Sequence, residues 1–330
     1  MGDPSSQSQK RSTGSWVPGK RNCHHPPHQK STPQKRQRII SSTSETEEVD
    51  RFSDLADLLQ QDGFRGVYKA RTGEAHDGCA IFWKEELFSL LHQDDIEFRK
   101  FGLRDNVAQF CVLKVKIVQI RTTTRTLLVG NIHVLFNPNR GDIKLGQIRL
   151  FVEKADAISQ EWGSIPVVLA GDLNSMPQVV SCNFVIHGKL DILLHDRRKL
   201  SGQIKSSPRW KTFRSPIQDA NSLRMTISRP LRYGWSKEEL QNAAGSGGAT
   251  HLQHRLKLCS AYVGVPGTSS TRDRYGEPLA TSYHSKFLGT VDYLWHSKEL
   301  LPVGVLETLP VNILSETGGL PSEAVGPQCK

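Results

Sequence analysis

Short apolar runs separated by turn residues organise the chain from about residue 45 onwards. The runs at 77–83, 107–120, 124–136 and 164–175 have the length and composition of strands; the second alternates as a half-buried strand does, and the last two read as buried. Between the runs at 124–136 and 164–175, Asp142 suits the start of a helix. Apolar residues then follow at helical spacing: Leu145, Ile148, Val152, Ala155, Ile158 and Trp162. Strand, helix and strand in this order predict an α/β sheet with helices packed on it.

The second half of the chain has a less regular pattern. Residues 196–285 contain several stretches rich in Gly, Ser and Pro, which predict a loop-rich insert. Within it, Ser236 is followed by Glu239 at the capping-box spacing, which predicts the start of a short helix. Strand-like runs resume at 287–297 and 302–311.

The N-terminal segment differs in composition from the rest. Residues 1–40 carry eight basic residues and one acid, which is +7 of the formal net charge of +10. The segment is rich in Ser, Gln, Pro and His and poor in aliphatic residues, so burial cannot offset its ordering entropy. We predict a disordered basic tail over residues 1–44. A nuclear-import or nucleic-acid contact and a merely solvating tail are equally good interpretations of its charge.

The overall composition excludes several classes of protein. With 37% hydrophobic residues in 330, the chain can bury a sizeable core, which excludes a wholly disordered or collagen-like protein. No window approaches the roughly 18 consecutive apolar residues of a membrane span. The six cysteines form no Cys-x-x-Cys pair, so neither a zinc site nor a disulfide framework is indicated. We expect an intracellular protein without membrane contact, located in the nucleus, the cytoplasm or both.

Polar side chains gather where the predicted strands end. Asn131 and His133 close one strand, Asp172 and Asn174 follow another, and Asp292 lies within a third. A rigid sheet edge with polar groups is typical of an active site, and a carboxylate with an amide two residues later suits a hard cation and a phosphate oxygen. Each signal also has a structural explanation. Asp-x-Asn is an ordinary Asx turn, and a single histidine is often structural.

Five motifs together resemble the endonuclease/exonuclease/phosphatase superfamily. They are EEVDRF (47–52), DGCAIFW (77–83), NIHVLFNP (131–138), GDLNSMP (171–177) and FLGTVDYLW (287–295). Ser175 and Pro177 after the Gly-Asp-x-Asn core resemble the deadenylase branch, which includes carbon catabolite repressor, nocturnin and angel proteins. Within it the chain is similar to the plant carbon catabolite repressor homologs that lack leucine-rich repeats. The resemblance extends over roughly residues 47–322.

The resemblance implies a fold and an activity. The fold is α/β, with a β-sandwich of two sheets flanked by helices. The activity is the magnesium-dependent hydrolysis of RNA from the 3′ end, with a preference for the poly(A) tail of mRNA. Relatives dock onto a deadenylase complex through leucine-rich repeats, which this sequence does not contain, so we expect no stable association with such a complex.

The resemblance also assigns roles to single residues. Glu48 matches the metal-binding glutamate, and Asp172 matches the acid that orients or deprotonates the attacking water. Asn174 matches the amide that holds the scissile phosphate. His133 and Asn131 match groups that polarise phosphate oxygens and support the charge of the transition state.

Three further residues match family positions. Pro138 and Phe287 match the pair that sandwiches the adenine base, although core packing explains them equally well. Asp292 matches the aspartate that orients the histidine of a late Ser-Asp-His motif.

Both ends of the family pattern differ in this sequence. Relatives continue into the Ser-Asp-His motif and a final strand, where residues 324–330 here are divergent. Before Glu48, the chain contains too few apolar residues for the first strands of the family. We therefore expect a domain over residues 45–323 that is incomplete at both ends and has reduced activity, since losing a positioned acid or base costs about 10² to 10⁴ in rate.

Three hypotheses for function remain open at this point. The first is an active magnesium-dependent 3′-to-5′ exoribonuclease of the poly(A) deadenylase type. The second is an inactive relative that binds RNA or a protein partner. The third is a phosphatase or phosphodiesterase that acts on a nucleotide cofactor.

Overall fold

A computed structural model describes most of the chain from Thr43 onwards. The described residues are 43–46, 48–116, 126–203, 234–284 and 286–320. The predicted tail, except for Thr43 and Ser44, and the divergent residues 324–330 lie outside them, as does the part of the predicted insert over 204–233.

The described residues form thirteen strands and five α-helices. The strands are β1 (Thr43–Thr46), β2 (Phe64–Ala70), β3 (Gly78–Lys84), β4 (Phe88–Glu97), β5 (Val107–Val115), β6 (Thr126–His133), β7 (Val167–Asp172), β8 (Lys189–Asp191), β9 (His251–Gln253), β10 (Leu258–Ser260), β11 (Ser282–His284), β12 (Phe287–Gly289) and β13 (Asp292–Ser297). The helices are α1 (Phe52–Gln61), α2 (Gly141–Glu161), α3 (Val180–His187), α4 (Lys237–Ala244) and α5 (Val311–Thr317).

A six-stranded mixed sheet is the centre of the fold, with the strand order β10-β13-β7-β6-β5-β4. Only β6 and β7 are parallel among its pairs, and the 21-residue helix α2 makes the long connection that a parallel pair requires. The register places His133 opposite Asp172 across this pair. Asp292 lies opposite Asp172 on the other side. The sheet therefore brings three of the predicted site residues into one row.

A second sheet, with the order β1-β3-β2, packs on one face of the central sheet. Ile81 and Trp83 of β3 lie in one apolar cluster with Cys111, Leu113 and Val129 of the central sheet. The opposite face of the smaller sheet packs against α1. The two-sheet α/β architecture that the resemblance implies is thus confirmed.

Helices α2 and α3 cover the other face of the central sheet. Leu128 and Leu169 from the strands share the largest apolar cluster with Ile148 and Val152 of α2 and Val185 of α3. The helical spacing predicted between residues 145 and 162 is confirmed. Asp142 lies in the first turn of α2, where its carboxylate accepts hydrogen bonds from neighbouring side chains, but it does not occupy the N-cap.

The four predicted strands in the first half of the chain are all present, and one expectation about them is wrong. Residues 107–113 are all buried, whereas the alternating pattern predicted a half-buried strand. Strand β5 is buried on both faces because α2 covers one side and the smaller sheet covers the other. The strand ends at Val115, and the continuation of the predicted run beyond residue 116 lies outside the described residues.

The second half of the chain confirms one element and corrects two. Helix α4 begins with the predicted capping box, in which Ser236 and Glu239 each bond the other's backbone N–H. The run at 287–297 divides into β12 and β13. The predicted strand at 302–311 is wrong, because residues 301–310 form no regular element and no described strand pairs with their backbone.

The expectation that no strand leads to Glu48 is also wrong. The segment Thr43–Thr46 forms β1 and pairs antiparallel with β3, so the domain begins before residue 45. An edge strand needs only a partner for its backbone, which a count of apolar residues does not reveal. Among the described residues, no helix combines the length and the apolar composition needed to cross a bilayer.

We predict that Gly171→Ala destabilises the domain by about 3 kcal/mol because of overpacking in β7. Gly171 has φ +146°, and an added Cβ would lie 2.0 Å from the carbonyl oxygen of Ile132 on β6. The matched control is Gly163→Ala, where φ is +89° but no atom lies within 4 Å of the added Cβ. Urea unfolding of both variants measures the effect. An equal loss of stability in the two variants would contradict the argument.

Candidate active site

A cleft of about 400 Å³ opens where β6 and β7 end. Six of the eight predicted site residues line it: Glu48, His133, Pro138, Asp172, Asn174 and Phe287. The other lining residues are Arg71, Asn106, Leu135, Phe136, Gln203, Ser282, His284, Lys286 and Val291. The fold therefore assembles residues that are more than 200 positions apart in the sequence.

His133 lies between two carboxylates in this cleft. Its Nε2 atom is 3.9 Å from Oε1 of Glu48 and 4.0 Å from Oδ2 of Asp172. The side chains of His133 and Asp172 are 9% and 7% exposed, whereas Glu48 is 53% exposed. Glu48 thus faces the solvent side of the cleft and the other two form its floor.

The turn after β7 has a fixed geometry. Oδ1 of Asp172 accepts a hydrogen bond of 2.6 Å from the backbone N–H of Asn174, which is an Asx turn. Asn174 has φ +45°, a left-handed conformation that Asn tolerates better than most residues. Its Nδ2 atom donates to the carbonyl of Val134 at 2.9 Å and carries a second hydrogen for the cleft. The structural and the functional interpretations of Asp-x-Asn are therefore compatible.

The remaining two predicted site residues do not line the cleft. Asn131 is fully buried, and its Nδ2 atom donates to the carbonyl of Ala80 at 3.1 Å, which ties the central sheet to the smaller one. Asp292 begins β13 opposite Asp172, and its backbone N–H donates to Thr281 Oγ1 at 3.2 Å. The structure thus places both beside the site rather than at its surface.

A buried polar network lies behind His133, and the sequence reasoning missed it. Asn106 donates to the carbonyl of His133 at 2.9 Å. Gln147 of α2 donates to Oδ1 of Asn106 at 3.3 Å and accepts the N–H of Leu135 at 2.8 Å. These bonds hold both the strand end and the segment that follows it. The signal in the sequence was Gln147, a polar residue within the apolar helix pattern of α2.

Lys144 is a second residue that the sequence reasoning missed. It is fully buried on α2, and its Nζ atom donates to the carbonyl of Asn174 at 2.5 Å and to Oε1 of Gln203 at 2.9 Å. Burial lowers the pKa of Lys144 to about 7, and the negative charge of Asp172 opposes this shift. The signal in the sequence was a lysine four residues before Ile148 of the apolar stripe.

Aromatic and basic side chains form the outer part of the cleft. Phe136 is 65% exposed, and the rings of His284 and Phe287 lie 5.9 Å apart. Lys286 adds a positive charge, and NH1 of Arg71 contacts both carboxylate oxygens of Asp77 at 3.2 Å. The arrangement suits a ligand that carries both an anionic group and a flat ring.

The donor atoms in the cleft fit a hydrated hard cation. No group of three or more His, Cys, Asp or Glu residues in the described ranges could enclose a metal ion. Magnesium, however, is commonly held by one or two carboxylates and keeps several waters. Glu48 and Asp172 each place a carboxylate oxygen within 4.0 Å of Nε2 of His133, so the cleft offers two such carboxylates.

Comparison with known proteins places the chain among particular relatives. It is 60% identical over 288 residues to carbon catabolite repressor protein 4 homolog 5 of Arabidopsis thaliana, with 85% of this chain and 63% of that protein covered. It is 47% identical over 280 residues to homolog 3 of the same plant, covering 85% and 61%. The chain thus spans less than two thirds of the length of these relatives.

A solved structure supports the same relationship. The crystal structure of ANGEL2, a 2′,3′-cyclic phosphatase, in complex with adenosine-2′,3′-vanadate has a TM-score of 0.64 and 30% identity. The match covers 88% of this chain and 80% of that chain. The model of the Endonuclease/Exonuclease/phosphatase family matches residues 42–315. The resemblance predicted from the five motifs is confirmed, and the chain belongs to the endonuclease/exonuclease/phosphatase family.

Proposed function

We propose that the chain hydrolyses phosphodiester bonds at the 3′ end of RNA, as a magnesium-dependent 3′-to-5′ exoribonuclease that acts on poly(A) tails. The observation that carries the proposal is the cleft itself. Its floor presents His133, Asp172 and Asn174, and its outer wall presents Pro138 and Phe287. A phosphate group would bind to the polar side chains of the floor, and an adenine base would pack against Pro138 and Phe287 at the wall.

Enzymes of this family generally depend on a divalent metal. Glu48 would hold the cation at the open side of the cleft, and the carboxylate of Asp172 lies 4.0 Å from Nε2 of the same histidine, His133. A bound magnesium ion would supply a positive charge that stabilises the phosphate oxygens as negative charge develops.

The residues of the floor have distinct roles in the proposed reaction. Asp172 orients the attacking water and takes its proton, while its Oδ1 remains fixed by the N–H of Asn174. Nε2 of His133 and the second amide hydrogen of Asn174 donate to non-bridging phosphate oxygens. The water oxygen forms a new bond to phosphorus, and the bond to the 3′ oxygen of the preceding nucleotide breaks. That oxygen takes a proton from solvent, and a 5′-mononucleotide is released.

A second candidate function is the hydrolysis of a terminal 2′,3′-cyclic phosphate. The similarity to ANGEL2, a 2′,3′-cyclic phosphatase, favours it. The chemistry is the same attack of water on phosphorus, but the bond that breaks joins phosphorus to an oxygen of the terminal ribose. Both functions require a single-stranded 3′ end in the cleft. They differ in the product, which is a mononucleotide in one case. In the other, two successive attacks of water break both bonds between phosphorus and the ribose, which releases inorganic phosphate and leaves free 2′ and 3′ hydroxyls.

Several expectations from the sequence stay predictions. They are RNA as the partner, the absence of a stable deadenylase complex, and a nuclear or cytoplasmic location.

We predict that Asp172→Asn lowers kcat by about 10² to 10⁴, because the amide cannot take the proton of the attacking water. The assay uses magnesium with oligo(A), with oligo(A) that ends in a 2′,3′-cyclic phosphate, and with nicotinamide adenine dinucleotide phosphate. Asp57→Asn, on the exposed surface of α1, is the control. Release of mononucleotides supports the exonuclease, and opening of the cyclic phosphate alone supports the second candidate. Turnover of the dinucleotide alone, or of no substrate, would contradict both.

Glu48→Gln should raise the magnesium concentration required for half-maximal rate by about tenfold, since a neutral amide is a weaker ligand for a hard cation. A chelator should abolish the wild-type rate, and added magnesium should restore it. Glu74→Gln, at an exposed position outside the cleft, should behave like the wild type. A magnesium titration of the initial rate measures all three proteins. An unchanged titration for Glu48→Gln would exclude Glu48 as a ligand.

Phe287→Ala should raise the KM for oligo(A) about tenfold, because stacking of one base contributes about 1–3 kcal/mol. The value of kcat should change little, since the ring lies at the wall and not at the floor. Phe101→Ala removes a ring that is 56% exposed away from the cleft and serves as the control. Equal KM values for the two variants would show that Phe287 packs without binding a base.

A further inference from the structure

Lys144 occupies a position where an apolar residue would be expected. It lies four residues before Ile148 on the face of α2 that packs against the central sheet, and it is fully buried. In the part of the chain that the structure describes, no carboxylate lies within 4.0 Å of its Nζ atom. A buried amino group without an ion pair is costly, and a well-packed apolar side chain is often as stable or more stable. Stability alone therefore does not account for this lysine.

Lys144 makes the third of three hydrogen bonds that hold Asn174 in place. The N–H of Asn174 donates to Asp172 at 2.6 Å, and its side-chain amide donates to Val134 at 2.9 Å. Its carbonyl accepts from Nζ of Lys144 at 2.5 Å. These three bonds hold a residue in the left-handed conformation, at φ +45°. Because the same peptide segment fixes the carboxylate of Asp172, Lys144 supports both floor residues from behind.

The second contact of Lys144 determines the direction of an amide in the cleft. Gln203 lines the cleft, and its Oε1 atom accepts from Nζ of Lys144 at 2.9 Å. The carbonyl end of the amide therefore points at the lysine. The NH₂ end remains as the group that Gln203 offers to a ligand, and this group carries two hydrogen-bond donors. A donor at this place suits an anionic oxygen and not a cation.

We propose that Lys144 is a positioning residue, which holds the Asp172–Asn174 turn in its active geometry and orients Gln203 so that its NH₂ group donates to a phosphate oxygen of the bound RNA. The inference rests on the proposed function, because it takes RNA as the ligand of the cleft. Lys144 itself does not touch the substrate. Gln203 is a further substrate-binding residue.

The first experiment separates positioning from packing. Lys144→Met should lower kcat for the RNA substrate at least tenfold, because the variant loosens the turn of the catalytic aspartate, and should also raise KM, because the amide of Gln203 loses the hydrogen bond that orients it. Lys154→Met makes the same change on the same helix, at a surface lysine paired with Asp94 at 2.5 Å, and should leave kcat unchanged. Lys144→Arg, which keeps the donors, should recover part of the rate.

A second readout does not depend on turnover. Deuterium exchange of the peptide over residues 168–178 should be faster in Lys144→Met than in Lys154→Met, because the turn loses one of its three anchors. If Lys144→Met does not fold, Lys144→Gln, which keeps a single NH₂ group, takes its place. Unchanged exchange together with unchanged kcat would overturn the positioning role.

Gln203→Glu tests the orientation of the amide. The variant keeps an acceptor for Lys144 but replaces the NH₂ group by a negative oxygen, so the KM for RNA should rise at least tenfold while kcat stays within about threefold. Gln60→Glu adds the same charge at an exposed position on α1 and should leave KM unchanged. Equal KM values for the two variants would overturn the role of Gln203.

The proposed hydrolysis of RNA and the roles of Lys144 and Gln203 can be tested separately. If the wild type turns over none of the RNA substrates, the proposed function fails, and the exchange comparison still decides the role of Lys144. The affinity for fluorescent oligo(A) without magnesium then tests Gln203, and weaker binding by Gln203→Glu than by Gln60→Glu supports it. Equal binding, or no binding by the wild type, overturns the Gln203 assignment.

Discussion

The parallel pairing of β6 with β7 is the constraint on which the candidate site depends. It requires a long connection, and α2 provides both that connection and the cover for one face of the sheet. The register of this pair, together with that of β13, sets His133, Asp172 and Asp292 in one row. A shift of either strand by one residue would move these side chains to the opposite face and separate them.

The smaller sheet, β1-β3-β2, and the segment that follows β1 lie beside the row of His133, Asp172 and Asp292. Asn131 donates to the carbonyl of Ala80 and so joins the two sheets at a buried point next to the cleft. The segment between β1 and α1 brings Glu48 to the open side, with Nε2 of His133 at 3.9 Å. The floor is thus held by a buried sheet, whereas Glu48 belongs to a surface segment and is 53% exposed. This arrangement suits a site whose buried side chains must stay fixed while a ligand enters from the open side.

Helix α2 links the packing of the fold to the chemistry of the site. Its apolar residues fill the core, while Lys144 and Gln147 on the same helix bond the segments that carry Asn174 and His133. Each buried polar group is costly unless it is bonded, so these residues fix one arrangement of the strand ends. A helix that served only to cover the sheet would carry apolar residues at both positions.

The sequence by itself determined most strands of the central sheet, the start of α4 and the residues of the cleft floor, because apolar runs, capping spacing and the Gly-Asp-x-Asn motif are local patterns. The tertiary structure alone decided that β5 is buried on both faces and that Asn131 ties two sheets together. It also decided that Lys144 reaches both Asn174 and Gln203. These features depend on strand register and on contacts between residues 30 to 59 positions apart, and a local pattern contains no information about which distant segment supplies the partner.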